Sequence, residues 1–150
     1  MSTAFRMAIG LSVCVAIFVL LARAVKVEAQ GAPAQTGAPA AFKPVSEIHH
    51  LMEGQELHFN ALGELMKDTS ARGRIGRIAM HADVLAELAN VNTHNRDKSD
   101  YRAWAGQVRD LARQIVAEAG KKASADDAVL KGLMVKINDT CKSCHDAYGE

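Results

Sequence analysis

Aromatic residues are scarce in this chain, at 5% of 150 positions. A core of ordinary size must then be filled by Ala, Leu, Ile, Val and Met, or by a body that is not protein. Cysteines number three, too few for a disulfide scaffold. Prolines also number three, none after Pro44, so no proline interrupts a helix from Ser46 onward. Charge of one sign is missing as well: 18 basic residues face 17 acidic ones, a formal net charge of +1. That leaves no broad basic field for gripping nucleic acid. What is present is ordinary for a globular chain, 49% hydrophobic and 23% charged, which argues against wholesale disorder. The length suits one domain with a real core rather than two.

Residues 1–29 read as an export signal. Arg6 gives a short positive start, Met7 to Ala22 is mostly apolar, and Arg23 ends the run. Val27-Glu28-Ala29 offers small or acceptable residues for a cut after Ala29. The run of 16 residues falls short of the roughly 20 that a spanning helix needs; the other reading is a retained N-terminal anchor. Cys14 lies inside the run, and Val13 before it is too large for a lipoprotein cleavage box. Loss of residues 1–29 removes Arg6, Arg23, Lys26 and Glu28 and leaves a near-neutral exported chain with Cys141 and Cys144 as its cysteines. Residues 30–44 repeat GAPA and are rich in Gly, Ala and Pro, the composition of a flexible tether.

The rest, residues 45–150, carries four helical patterns and no strand-like alternation. Ser46 is placed to cap a first helix, whose apolar positions are Ile48, Leu51, Met52, Phe59, Leu62, Leu65 and Met66. Asp68-Thr69-Ser70 breaks it. A second helix carries Ile75, Ile78, Ala82, Leu85 and Ala89, and the polar stretch Asn90 to Asn95 reads as a loop. Ser99 is expected to cap a third, with Trp104, Val108, Leu111, Ile115 and Ala119 on one face. Ser124 and Asp127 resemble a capping box for a fourth, which runs through Leu130, Leu133, Met134, Ile137, Cys141 and Cys144 towards Tyr148. Short connections between such helices predict an all-α, antiparallel up-down-up-down four-helix bundle.

Cys141-Lys142-Ser143-Cys144-His145 has the spacing of a c-type haem attachment site. On a helix, residues three apart project from nearly one face, so both thiols reach one edge of a porphyrin and its two vinyl groups. His145, four residues after Cys141, is on that face and is placed to ligate iron. Export agrees with this, because attachment takes place outside the bacterial inner membrane. Three other readings stand beside it: a redox dithiol, which wants a βαβ context; a zinc site, which wants four ligands; and a plain disulfide, which leaves His145 unexplained.

The C-K-S-C-H-D-A-Y run, the four-helix pattern and the export signal together resemble the class II cytochromes c, the cytochrome c-prime family, over roughly residues 45–148. The resemblance implies a single covalent haem c lying between the helices, with His145 as fifth ligand. It implies a first-helix residue over the other side of the iron, Met in low-spin relatives and an apolar side chain in five-coordinate ones. It also makes a homodimer through the first two helices an expectation. Family members often carry Arg or Lys four residues after the ligand histidine; here that position is Gly149, followed by Glu150. A porphyrin would supply the large flat apolar body that the scarcity of aromatics leaves wanting.

Met52 shares a stripe with Ile48, Phe59 and Met66 and is the candidate sixth ligand; the alternative is gap-filling core. His49 lies about 60° from it around the helix and is the weaker candidate, while His50 lies about 160° away and is expected in solvent. His58 and His94 are expected at the surface or in loops, and His81 as a partly buried, satisfied side chain. Lys67, Arg72, Arg74 and Arg77 read as a solvated basic cluster. Met66 and Met80 read as core or partly buried surface. The leading expectation is a periplasmic one-electron carrier serving exported redox partner proteins, membrane-bound only if the N-terminal segment is retained. The alternative is a five-coordinate protein binding nitric oxide or carbon monoxide. An enzyme ranks last: peroxide chemistry wants a distal acid–base pair, and His49 with Glu53 or Glu56 has only helical spacing to recommend it.

Overall fold

A computed structural model describes residues 42–148. The expected export signal, the tether up to residue 41 and the Gly149-Glu150 end lie outside the described residues. Four helices account for most of the rest: α1 (Ile48–Lys67), α2 (Arg74–Asn92), α3 (Ser99–Ala119) and α4 (Asp127–Tyr148), with a 3-10 turn at Lys122–Ser124 between the last two. No strand occurs among the described residues, and none of their helices is long and apolar enough to cross a membrane.

The apolar stripes read from the sequence meet in one core. Leu62, Ile78, Ala82, Ala89, Ala112, Ile115, Leu130 and Ile137 are fully buried there. α2 packs on α1 and on α3, α3 packs on α4, and α1 and α4 meet more sparingly. Ala82, Ala86 and Ala89 on α2 and Ala112 and Ala119 on α3 are among the buried residues of this helix pair. Small side chains there let helix axes approach closely.

The helix ends depart from the sequence expectations. Glu47, not Ser46, precedes α1, and no side chain caps it. Asp68 ends the helix by folding back, its Oδ1 accepting from the Ser70 amide at 3.0 Å and hydroxyl at 2.7 Å. Gly73 precedes α2 at φ 66°, a left-handed conformation that suits glycine. α2 runs on to Asn92, two residues past the expected start of the loop at Asn90, because the Leu85–Ala89 stripe continues onto Asn92. Ser99 is the first residue of α3 rather than its cap. The Ser124/Asp127 box does not form: Ser124 lies in the 3-10 turn and donates to the Lys121 carbonyl at 2.9 Å. Asp126 caps α4 instead, accepting from Ala128 N at 2.7 Å and Val129 N at 3.3 Å.

Arg74 corrects a second expectation. It is not solvated but 8% exposed. Its Nε donates to the Leu65 carbonyl at 2.6 Å and its Nη1 to Asp127 Oδ1 at 2.8 Å. One guanidinium thus joins the last turn of α1, the first of α2 and the first of α4. Buried Glu118 does similar work nearby, accepting from Asp126 N at 2.8 Å and Lys121 Nζ at 2.6 Å. The Lys121 ammonium and then the Asp126 amide hold its carboxyl below the ordinary range.

Candidate functional site

The last two turns of α4 carry Cys141, Cys144 and His145. Helical periodicity turns Ile137, Thr140 and Cys144 inward; all three are buried, Cys141 is half-buried and His145 is exposed. The polar residues among them are satisfied locally. Thr140 donates to the Lys136 carbonyl and Ser143 to the Asp139 carbonyl, each at 2.8 Å. Lys142 and Asp146 pair at 2.6 Å on the solvent side.

Two clefts adjoin these residues. The larger, about 790 Å³, lies between α1 and α4, with Ile48, Met52 and Phe59 on one wall, Ile137, Cys141 and His145 on the other and Leu85 of α2 between them. The smaller, about 30 Å³, lies towards α3, against Tyr101, Trp104 and Val108. Met52, Gln55, Cys141 and His145 line both. The larger volume falls in the range of ligand and cofactor sites, ~300–1,000 Å³. Grooves of about 610 and 570 Å³ elsewhere contain no Cys, His or Met.

The structure thus puts Met52 in the same clefts as the cysteine–histidine run. Its sulfur accepts weakly from Asn92 Nδ2 at 3.5 Å and from Gln55 Nε2 at 3.9 Å. Asn92, 1% exposed, also accepts from Asn95 Nδ2 at 2.7 Å through its Oδ1. Sequence reasoning missed it by assigning it to a loop; the 4 and 3 spacing of Leu85, Ala89 and Asn92 was the available signal.

Behind Cys144 the last turn is pinned to α3. The Tyr148 ring stands edge-on to Tyr101 at 5.6 Å and Trp104 at 6.1 Å. Its hydroxyl donates to Asp100 Oδ1 at 2.8 Å, and the Arg96 guanidinium lies 5.0 Å from its ring centroid. That hydrogen bond, with another from the Tyr101 amide, holds the Asp100 carboxyl below its usual range, while burial and then Asp100 push the Tyr148 hydroxyl up.

Cys141 and Cys144 are both thiols. Burial, and after it the neighbouring Cys144, push the Cys141 thiol up to about 11. Reactive redox cysteines have depressed values, so Cys141 does not have the electrostatics of an attacking dithiol. Among the described residues no three His, Cys, Asp or Glu side chains converge on one point, whereas a structural zinc site needs four ligands.

The other histidines divide. His49 lines the larger cleft but is exposed and pairs with Glu53 at 3.2 Å. His50 is exposed and lines neither cleft. His94 is exposed and meets Phe42 edge-on at 4.9 Å. His58 is not a free surface residue: it is half-buried, and its Nδ1 lies 3.0 Å from that of His81. Burial, then the His58 and Arg77 charges, hold the His81 imidazole below its ordinary 6.5. No family model, curated protein or solved structure matches this chain.

Proposed function

We propose that this protein is an exported, periplasmic monohaem c-type cytochrome of the class II kind, a one-electron carrier between exported redox partner proteins. In this reading the four helices run up-down-up-down, each antiparallel to the next. The carrying observation is that Cys141, Cys144, His145 and Met52 share one pair of clefts, the larger of them walled by Ile48, Phe59, Leu85 and Ile137.

The donor set fits a covalently held haem. Cys141 and Cys144 would hold it by thiol addition to its two vinyl groups, each sulfur giving a C–S bond and its hydrogen going to the neighbouring carbon, with no oxidant consumed. The resulting thioethers are neutral, which suits the half-buried Cys141 better than a thiolate does. His145 holds a nitrogen lone pair for the proximal position. Phe59, Leu85 and Ile137 exclude water, and Met52 offers a sulfur from the opposite wall. When bound, the haem supplies a reversible ferric/ferrous couple. Apolar groups such as Phe59, Leu85 and Ile137 would stabilise a bound haem by roughly 25 cal/mol per Å² of apolar surface removed from water. No substrate-transforming group is required, so the reading is of a carrier and not an enzyme. A homodimer belongs to the same reading, as does membrane contact through residues 1–29 if they are retained.

Intact-mass measurement and absorption spectra test it. The expected result is a red protein heavier than its polypeptide by one haem, with low-spin spectra, and loss of normal ligation in His145→Ala. A colourless exported chain whose mass is that of its amino acids alone overturns it. The alternative, a five-coordinate binder of nitric oxide or carbon monoxide, is favoured by one observation: the Met52 sulfur already has amide partners in Asn92 and Gln55. A high-spin ferrous spectrum would select that alternative.

A further inference from the structure

His58 on α1 and His81 on α2 lie outside both clefts and have no part in the reading above. Their Nδ1 atoms are 3.0 Å apart and their ring planes meet at 52°. At that distance one Nδ1 carries a proton and the other a lone pair. Both rings are half-buried, so each keeps an edge in water. The helices therefore hold two imidazole nitrogens at a spacing that a single small electrophile, a proton or a metal ion, can bridge.

We propose that His58 and His81 form a two-imidazole site for Cu(II), the ion taking the place of the shared proton. With metal–nitrogen bonds of about 2.05 Å, nitrogens 3.0 Å apart subtend about 94° at an ion set about 1.4 Å off the line between them. That is the cis relation of a tetragonal ion, and Cu(II) also binds imidazole most tightly of the common divalent ions. A tetrahedral ion such as Zn(II) needs a separation nearer 3.4 Å. The rings turn to point both lone pairs at the ion. The displaced proton passes through water from Nδ1 to Nε2 of the same ring, so each imidazole stays neutral and copper stays Cu(II). No carboxylate stands one turn before or after either histidine on its own helix, so water completes the coordination. Arg77, whose charge reaches His81, opposes the ion and keeps the site weaker than a multi-ligand cage.

The test uses the full chain with Cys141 and Cys144 capped, by haem where it is present and by alkylation where it is not. The copper result thus stands apart from the haem result. Metal-stripped protein is titrated with Cu(II) and followed by electron paramagnetic resonance. Expected are one Cu(II) per chain, an axial spectrum coupled to two imidazole nitrogens, and at least tenfold weaker binding in His58→Ala and in His81→Ala. His49→Ala and His50→Ala should bind as the parent does. His58→Gln and His81→Gln provide the same loss if an alanine variant fails to fold by circular dichroism. Copper that keeps its two-imidazole signal in a His58→Ala, His81→Ala double variant, couples to a single imidazole in the parent, or is displaced by equimolar Zn(II) overturns the proposal.

Discussion

At the scale of single residues, Met52 separates the two haem readings. Leucine has nearly its volume, so Met52→Leu should cost less than about 1.5 kcal/mol while removing the sulfur. The oxidised parent should show a sulfur–iron charge-transfer band towards the red end of the visible spectrum; the variant should lack it and keep its covalent haem. His50→Ala should leave every spectrum unchanged, and a shift there would mean that α1 is rotated from its described position. The cysteine–histidine run was legible as a candidate site because its residues sit in five contiguous positions. Arg74 was not: its carboxylate partner, Asp127, is 53 residues away, and a run of basic side chains reads as solvated until the fold chooses one to bury. His58 was misjudged likewise, since its partner lies on another helix.

At the scale of helices, the stripes were legible and the ends were not. A buried face is written in repeated spacings over five turns, but a cap depends on one side chain reaching one amide. Ser124, Asp126 and Asp127 all stand near the start of α4, and only the intervening 3-10 turn decides that Asp126 accepts from Ala128 and Val129. Asp126→Ala should therefore destabilise the protein by about 1 kcal/mol in denaturant unfolding, and Ser124→Ala by clearly less. The reverse order would restore the capping box expected from the sequence.

For the whole molecule, acid should act in a window set by His81. Its folded value lies below the ordinary 6.5, so between the two values the unfolded chain binds more protons than the folded one. Stability accordingly rises with pH there, is fully present above about 6.5 and is lost as pH falls through the folded value. Thermal melting of the metal-free protein across that range should fall on acidification, and His81→Gln should flatten the dependence. A melting temperature that rises on acidification, or an unaltered slope in the variant, would contradict this. The all-helical fold could be anticipated because the lack of proline after Pro44 and the four stripes point one way. Which helices lie side by side could not, because every stripe is apolar and none names its neighbour.

Arg74 and the cysteine–histidine run occupy opposite extremes of α4: Asp127 opens it, and Cys144 lies 17 residues on, about 25 Å away along the axis. The molecule therefore behaves like a clothes-peg. Its fixed end is the guanidinium that grips three helix ends, and its jaws are α1 and α4, which meet only sparingly. Widening the cleft is therefore expected to shift Met52 and Gln55, which line it, before the Leu62–Ile78–Ile115–Leu130 core, which does not.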